Sequence, residues 1–330
     1  MSARVLKAVA CVAAFYWPGE WLGIAHASPL AWITNQKANN VSVVDTATGH
    51  VIKTIPVGRD PAGVAVSGDG KAVLVTNPGS RDVAIIDGEH LVQSGRMIVG
   101  EGPLGIAVDK AGHRAFVADF YGHFVSVLDL ADQTIFKRIP VGHYPAGLVV
   151  GSRPARIYVA EREDNTVSVI DGVTLTIEKT VGVGKHPFGL MLDEARDRLY
   201  VANVESNDVT VLAAGSLKPI TSIAVGERPY ALASASGGRL IFVTNQYDST
   251  VSVIDAETLK VIQTIPVGEY PEGIARHPDD QHVYVANWFD NTVSVIDANT
   301  LRVVNTIPTG DGSRAFGEFI GQDSAIPAHR

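Results

Sequence analysis

Residues 284–297 read YVANWFDNTVSVID, and segments of the same kind recur along the chain at one fixed spacing. The tripeptide inside this segment, Val285-Ala286-Asn287, lies 42 residues after the preceding copy. The seven copies are Ile33-Thr34-Asn35, Val75-Thr76-Asn77, Val117-Ala118-Asp119, Val159-Ala160-Glu161, Val201-Ala202-Asn203, Val243-Thr244-Asn245 and Val285-Ala286-Asn287. A period of about 40–45 residues fits one four-stranded blade of a β-propeller. Seven copies without an insertion therefore predict seven blades.

The residues around each copy alternate between apolar and small polar side chains. In the last complete repeat, residues 292–297 alternate with period two and are rich in β-branched side chains, which favours a half-buried strand over a helix. This repeat predicts an inner strand at residues 273–275 and three further strands at 283–287, 293–297 and 303–308. The predicted fold class is therefore all-β, a seven-bladed β-propeller of four-stranded blades.

The two ends of the repeat array differ in phase. The array begins near Ala31 in the phase of a second strand, whereas residues 315–320 repeat the phase of the inner strand that starts at Gly63. We therefore expect the C-terminal strand to complete the blade that the N-terminal residues begin. Such closure covers strand edges that would otherwise be free to pair with other chains.

Several motifs of the array resemble the YVTN β-propeller repeat family. They are Tyr200-Val201-Ala202-Asn203, Phe242-Val243-Thr244-Asn245, Tyr284-Val285-Ala286-Asn287 and Ile265-Pro266-Val267-Gly268, within a resemblance that covers residues 31–321. The resemblance implies the propeller fold but no single activity, because the family includes secreted and surface binding proteins. In architecture the array is also similar to the propellers of haem d nitrite reductases, lactonases and quinone-dependent enzymes.

The first 27 residues have the pattern of a signal peptide. Arg4 and Lys7 precede a mostly apolar stretch, and Ala25-His26-Ala27 places small residues at the two positions that a signal peptidase recognises. We therefore predict an exported protein that is periplasmic or secreted. The single cysteine, Cys11, falls within this segment, so the mature chain is expected to contain neither a disulfide nor a cysteine nucleophile.

The remaining sequence is assigned to one domain. Residues 1–27 are the predicted signal peptide, 28–321 the propeller and 322–330 a C-terminal tail. The formal net charge of −8, without any run of basic residues, counts against a sequence-independent nucleic-acid binder. No stretch after residue 27 reaches the about 20 apolar residues of a transmembrane helix. We expect a monomer whose partner is a protein or a small polar ligand.

Two sets of loop positions fall on the face that frames the mouth of the central channel. The first set is the last residue of the repeated tripeptide, which is Asn in most blades but Asp119 and Glu161 in two adjacent ones. A repeated Asn at a strand end is expected to hydrogen-bond its own loop. The second set follows each crossing glycine and varies in type: Arg59-Asp60, Glu101-Gly102, His143-Tyr144, Lys185-His186, Glu227-Arg228, Glu269-Tyr270 and Asp311-Gly312.

In one sector of the ring, both sets contain residue types that differ from those in the other blades. The candidate ligand-binding residues in and beside this sector are Asp119, Tyr121, His123, His143, Tyr144, Glu161, Arg162, Lys185, His186 and Arg228. Variable polar groups on a rigid scaffold are typical of binding loops, although solvated surface charge would give the same pattern. We expect this face to bind a small polar molecule, a glycan or a partner protein.

A more specific hypothesis is that one metal ion is bound by Asp119, His143, Glu161 and His186. Two carboxylates and two imidazoles suit zinc, manganese or iron. Propeller symmetry places these residues on one face but does not show that they converge within bonding distance. No compact motif such as H-E-x-x-H supports it. Aromatic pairs such as Trp288-Phe289 are candidates for stacking a sugar or a quinone, with loop packing as the alternative. No cofactor is predicted.

The predicted function is non-enzymatic binding by an exported propeller, because near-identical blades leave few positions specialised for a reaction. The alternative is a periplasmic enzyme or accessory protein, of the lactonase, lyase or quinoprotein-oxidation kind, with its site at the same face. A third hypothesis is a surface structural protein that self-associates through its blades.

Overall fold

Strands form at every copy of the repeat. The computed structural model describes residues 28–109, 111–152 and 155–321, so the predicted signal peptide and the predicted C-terminal tail lie outside the described residues. A 3-10 helix at Pro78–Ser80 is the one helical segment of the described part. In that part of the chain, no helix is long and apolar enough to cross a membrane.

Four kinds of strand recur from the channel outward. The inner strands are β4 (Val64–Val66), β8 (Pro103–Val108), β12 (Pro145–Ser152), β16 (Pro187–Asp193), β20 (Pro229–Ala235) and β24 (Pro271–Arg276). The second strands are β1 (Leu30–Asn35), β5 (Ala72–Asn77), β9 (Arg114–Asp119), β13 (Ala155–Glu161), β17 (Arg198–Asn203), β21 (Leu240–Asn245) and β25 (His282–Asn287). The third strands are β2 (Asn40–Asp45), β6 (Asp82–Asp87), β10 (Phe124–Asp129), β14 (Thr166–Asp171), β18 (Asp208–Ala213), β22 (Thr250–Asp255) and β26 (Thr292–Asp297). The outer strands are β3 (His50–Pro56), β7 (Val92–Ile98), β11 (Thr134–Pro140), β15 (Ile177–Gly182), β19 (Pro219–Ala224), β23 (Lys260–Pro266) and β27 (Arg302–Pro308).

The strands of each sheet pair antiparallel in chain order, and each sheet is one blade. Blade 1 contains β1–β3, blade 2 β4–β7, blade 3 β8–β11, blade 4 β12–β15, blade 5 β16–β19, blade 6 β20–β23 and blade 7 β24–β27. Neighbouring blades pack face to face, and β27 of blade 7 contacts β3 of blade 1. The seven-bladed propeller predicted from the repeat is therefore confirmed.

Blade 1 obtains its innermost strand from the far end of the chain. Residues 313–320, here called the closing segment, run antiparallel to β1, with Ala31 paired to Ile320. On its other side the closing segment runs parallel to blade 2, where Phe316 pairs with Gly63. The predicted closure of the ring by the C-terminal strand is thus confirmed.

The core lies between the blades, because the second and third strands bury both of their faces. In β26, Val293 and Val295 pack into a cluster that includes Trp32 of blade 1. Ile296 faces the other way, into a cluster that includes Phe242 of blade 6. The outer strands are mostly exposed, as the burial of β3 and β23 shows. Period-two alternation therefore assigns successive side chains to two different neighbouring blades.

Near the axis, inner strands at five of the seven junctions lie so close to the next that no side chain fits between them. A Cβ atom on Gly105 would lie 2.2 Å from the carbonyl oxygen of Ala146 in the next blade. Equivalent contacts, all under 2.5 Å, occur at Gly63, Gly147, Gly189 and Gly273. Glycine is required here because of this close approach of backbone to backbone.

The threonine of the repeated tripeptide joins neighbouring blades by hydrogen bonds. Thr76 Oγ1 accepts the backbone N–H of Gly63 at 2.8 Å and donates its own hydrogen to the carbonyl oxygen of Leu104 at 2.7 Å. Thr34 and Thr244 also donate to a carbonyl of the following inner strand. Three of the seven blade junctions therefore carry a buried side-chain bond that an alanine at the same position does not provide.

We expect Gly105→Ala to lower the free energy of unfolding by about 1–3 kcal/mol, because the added methyl group collides with the Ala146 carbonyl and separates blades 3 and 4. Gly182→Ala is the matched control, since a Cβ at Gly182 meets no atom within 4 Å. The measurement is urea-induced unfolding of both variants. Equal midpoints for the two variants would contradict the close approach.

Candidate functional site

The asparagine ring at the ends of the second strands is buried and supports the loops. Asn245 Nδ2 donates to Thr250 Oγ1 at 3.0 Å and to Ser252 Oγ at 2.9 Å, and the side chain is fully buried. The amide group also lies against the crossing glycine, since a Cβ on Gly226 would be 2.6 Å from Asn245 Cγ. These contacts agree with the scaffold role predicted for the ring.

Asp119 and Glu161 make the same kind of contact as the asparagines they replace. Asp119 Oδ1 accepts the backbone N–H groups of Gly102 at 3.0 Å and Gly122 at 2.7 Å. Glu161 Oε1 accepts the N–H of Gly142 at 2.7 Å. Both side chains are almost completely buried. The expectation that they present carboxylates at the mouth face is therefore corrected: both lie below it and hold their own loops.

His123, His143 and Tyr144 form a second structural group. His123 Nδ1 accepts the backbone N–H of Tyr144 at 3.1 Å. Most other blades place an Asn at this position, and its side-chain oxygen accepts the N–H of the residue 21 positions later: Asn39, Asn165, Asn207 and Asn291. His143 Nδ1 pairs with Asp164 Oδ1 at 2.9 Å on the exposed surface.

Lys185 and His186 lie on the next crossing loop. His186 Nδ1 is 3.0 Å from Glu205 Oε1, and its Nε2 is 3.8 Å from Glu163 Oε1. Lys185 is exposed, and its backbone N–H donates to Ser206 Oγ.

The structure does not bring the four proposed metal ligands together. Asp119 and Glu161 face backbone N–H groups, whereas His143 and His186 pair with Asp164 and Glu205. Among the described residues, the one group of three His, Cys, Asp or Glu side chains with ligand atoms close enough for a metal lies elsewhere, in blade 7. A shared metal site at this face is therefore without geometric support.

A different ring of side chains lines the mouth of the channel. It is formed by the residue that follows the proline at or just before the start of each inner strand and, in blade 1, by the second residue of the closing segment: Ala62, Leu104, Ala146, Phe188, Tyr230, Glu272 and Arg314. Five of these, from blades 2 to 6, belong to one buried cluster with Phe316, which places them around the axis. We call this set the mouth ring.

One arc of the mouth ring carries a buried polar network. Arg314 Nε lies 2.7 Å from Glu272 Oε2, and Arg314 Nη2 donates to the hydroxyl of Tyr230 at 2.7 Å. Gln246 Nε2 donates to Glu272 Oε1 at 3.0 Å. The Arg314 and Glu272 side chains are 14% and 8% exposed. Burial raises the pKa of Glu272, and the Arg314 guanidinium opposes that rise.

The adjoining part of the mouth is aromatic. The Phe188 and Tyr230 rings stack with their centroids 4.1 Å apart, and Phe316 meets Phe188 edge to face at 5.1 Å. Phe120 and Tyr121 form a further edge-to-face pair at 5.3 Å. Burial raises the pKa of Tyr230, so its phenol stays protonated and donates or accepts as a neutral group.

Two cavities open at this mouth and share Phe188. The first, of about 410 Å³, is lined by Gln36, Asp60, Pro78, Gly79, Gly102, Leu104, Phe120, Tyr121, Phe188 and Arg314. The second, of about 240 Å³, is lined by Arg162, Phe188, Val204, Arg228, Tyr230, Gln246, Tyr270 and Glu272. Aromatic walls with a few convergent polar groups are typical of small-molecule sites.

Of the ten residues predicted from the sequence, Tyr121, Arg162 and Arg228 line these cavities. The other seven lie outside the two linings. Sequence reasoning missed the mouth ring, although its members share the 42-residue spacing and six of them directly follow the proline after a crossing. The signal was the change of side-chain type at that position, from Ala62 to Phe188, Tyr230 and Glu272.

Comparisons with known proteins support the fold. A family model described as YNCE-like beta-propeller matches residues 211–311, which fits the YVTN-type resemblance of the repeats. No curated protein sequence matches the chain significantly. A functionally unknown protein from Desulfotomaculum acetoxidans is similar in structure, with TM-score 0.76, 15% identity, and 88% of this chain and 100% of that chain covered.

Two enzymes also share the architecture. Hydrazine synthase from Kuenenia stuttgartiensis is similar with TM-score 0.67 and 19% identity, over 86% of this chain and 99% of that chain. Dihydro-heme d1 dehydrogenase NirN is similar with TM-score 0.68 and 15% identity, over 87% of this chain. The match spans 65% of the length of NirN. At these identities the likeness is one of fold alone.

We expect Arg314→Met to lower the free energy of unfolding by about 3–5 kcal/mol, because it leaves Glu272 buried without its cation. The double variant Arg314→Met with Glu272→Leu should recover most of that loss, since no buried charge remains. Lys71→Met is the control, because the Lys71–Glu89 pair is well exposed and worth about 0–1 kcal/mol. Equal losses for Arg314→Met and Lys71→Met in denaturant unfolding would contradict the prediction.

Proposed function

We propose that this protein is a non-enzymatic binding propeller that takes a small anionic ligand with an aromatic or other apolar part at the channel mouth. The observation that carries this proposal is the second cavity, where Arg162 and Arg228 lie beside the stacked rings of Phe188 and Tyr230. Binding rather than structure is supported because the scaffold does not require these side chains. The same mouth-ring position is alanine in blades 2 and 4.

The charge of the cavity favours an anion. Its one lining carboxylate, Glu272, is paired with Arg314. Arg162 has a contact of 3.6 Å with Glu163, which is itself outside the lining, and the Arg228 guanidinium lies over the Tyr247 ring at 4.9 Å. Two guanidinium groups therefore face a cavity without a matching free carboxylate. A guanidinium recognises carboxylate, phosphate or sulfate through paired N–H donors.

The walls of the two cavities favour an apolar part on the ligand. Phe188 separates the cavities, so a ring inserted beside it contacts an aromatic face in either one. Leu104 and Phe120 extend the apolar surface on one side. A neutral glycan would use the aromatic faces but would leave the guanidinium groups without an anion. An acidic side chain of a partner protein would offer the same chemistry from a larger molecule.

The Glu272–Arg314–Tyr230 network supports the cavity by fixing its wall. Glu272 lies within 3.0 Å of both Arg314 and Gln246, and Arg314 also donates to Tyr230, so these side chains are held in place before a ligand arrives. Pre-organised polar groups lower the cost of binding, because fewer rotamers are lost.

The alternative of an enzyme, or of an accessory to one, is favoured by one observation. Glu272 is a buried carboxyl group in a cavity, and burial raises its pKa, as is common for catalytic acids and bases. Hydrazine synthase and NirN are enzymes of the same fold. We rank this alternative second because Arg314 and Gln246 already occupy the two oxygens of Glu272.

We expect benzoate and phenyl phosphate to bind the mature protein and benzamide, the neutral counterpart of benzoate, to bind at least about tenfold more weakly. Arg228→Ala should weaken benzoate binding by a similar factor, and Phe188→Ala should weaken both benzoate and phenyl phosphate. His143→Ala is the control, because His143 lies outside both cavity linings. Calorimetric titration measures all four proteins. Equal affinity for benzoate and benzamide, or an unchanged Arg228→Ala variant, would contradict an anion site.

We also propose that the protein is exported, on the strength of the signal-peptide pattern at residues 1–27. N-terminal sequencing of protein from the fractionated source cells should find a chain that begins at Ser28 outside the cytoplasm. Ala27→Arg should block cleavage, because the recognised position no longer carries a small residue. Ser2→Arg is the control, because it introduces the same residue type and leaves the cleavage site intact. Ala31→Arg would not serve as a control, because Ala31 is buried. An uncleaved wild-type chain confined to the cytoplasm would contradict export.

A further inference from the structure

A histidine-rich turn lies at the opposite end of blade 7 from the mouth. It joins β24 to β25 over residues 277–282. Three of its side chains, His277, Asp279 and His282, place one nitrogen or oxygen ligand atom each within 4.8 Å of one another. His277 Nδ1 is 3.0 Å from Asp279 Oδ2, and His282 Nδ1 is 2.6 Å from the same oxygen. Both histidine nitrogens therefore lie next to the same carboxylate oxygen.

The hydrogen-bond network assigns the tautomer of His277. The hydroxyl of Thr46 has one hydrogen, which it donates to the carbonyl oxygen of Pro29 at 2.6 Å. His277 Nε2 lies 3.1 Å from Thr46 Oγ1, so Nε2 must carry a hydrogen and donate it. Nδ1 of the neutral ring then carries an electron pair, which accepts the backbone N–H of Asp279 at 3.2 Å.

This assignment leaves two electron-pair donors in contact. His277 Nδ1 and Asp279 Oδ2 are 3.0 Å apart, and no hydrogen of the neutral groups lies between them. Such a contact is repulsive unless a cation is present, which is either a proton on Nδ1 or a metal ion.

We propose that this turn binds one divalent transition-metal ion through His277 Nδ1, Asp279 Oδ2 and His282 Nδ1. Two imidazole nitrogens and one carboxylate oxygen form a ligand set that suits zinc, iron, cobalt, nickel or copper far better than magnesium or calcium. Asp279 and His282 are about one-third exposed, so water can complete the coordination. Thr46 is the outer partner that orients His277, as is usual for a metal-bound imidazole.

The position of the turn indicates what the ion would do. Besides the contact with Thr46 of blade 1, the turn accepts the backbone N–H of Ser236 in blade 6 through the carbonyl oxygen of Asp280 at 3.0 Å. The turn therefore contacts both neighbouring blades. An ion that fixes its conformation stabilises the junction between blades 7 and 1, where the two ends of the chain meet.

The test is a titration of the untagged mature protein with Zn²⁺, read by calorimetry and by competition with a chromogenic chelator. We expect one Zn²⁺ ion per chain, no uptake of Mg²⁺ or Ca²⁺, and a higher melting temperature in the presence of Zn²⁺. His282→Ala should lose this uptake and the rise in melting temperature. Because His282 is partly exposed, the variant should still fold, which far-ultraviolet circular dichroism checks.

Two further variants make the result specific. His90→Ala is the matched control, because His90 Nδ1 pairs with Asp87 at 2.8 Å in the same manner but without a third ligand, and Zn²⁺ uptake should be unchanged. Thr46→Ala keeps all three ligands and should weaken Zn²⁺ binding by about 10–100-fold. Absence of Zn²⁺ uptake by the wild-type protein, or equal uptake by the wild type and His282→Ala, would overturn the proposal and leave the proton as the cation.

Discussion

Direct contact between the backbones of neighbouring inner strands determines the rest of this structure. A side chain at Gly105 would collide with the backbone of the next blade, and the same close contact occurs at four further junctions. The blades therefore converge closely enough for Thr76 to bond with two of them at once. The same convergence brings one residue from each inner strand to the axis, where Phe188 and Tyr230 stack across a blade boundary.

The proposed binding site and the ring closure share Glu272 and Arg314. Glu272 belongs to blade 7, whereas Arg314 comes from the closing segment, and their ion pair spans the last junction of the ring. A buried ion pair adds little net stability compared with apolar residues, because both charges lose their water. Its presence in one arc of an otherwise apolar mouth ring is consistent with the proposed recognition of an anion, in which Arg314 neutralises Glu272 and Arg162 and Arg228 contact the ligand.

The sequence predicted the fold well because the fold is repetitive. A fixed spacing and period-two alternation determine blade number, strand order and closure, and the scaffold role of Asn245 follows from its recurrence. The candidate site was harder to predict. His123 resembles a ligand by residue type, yet it replaces an asparagine that holds a backbone N–H group, which only coordinates reveal. The mouth ring was missed for the opposite reason: from Ala62 to Arg314 its side chains share a position but no chemical type.

Because the closing segment is synthesised after all the other strands, the ring cannot close until synthesis of the propeller is complete. During translation, the ribosome produces all the other strands before it produces Arg314. A nascent chain that has folded six complete blades still lacks the inner strand of blade 1, and its Glu272 still lacks the Arg314 cation. The mouth is therefore the last part of the molecule to acquire its final electrostatics, and only a chain synthesised through the closing segment can present it.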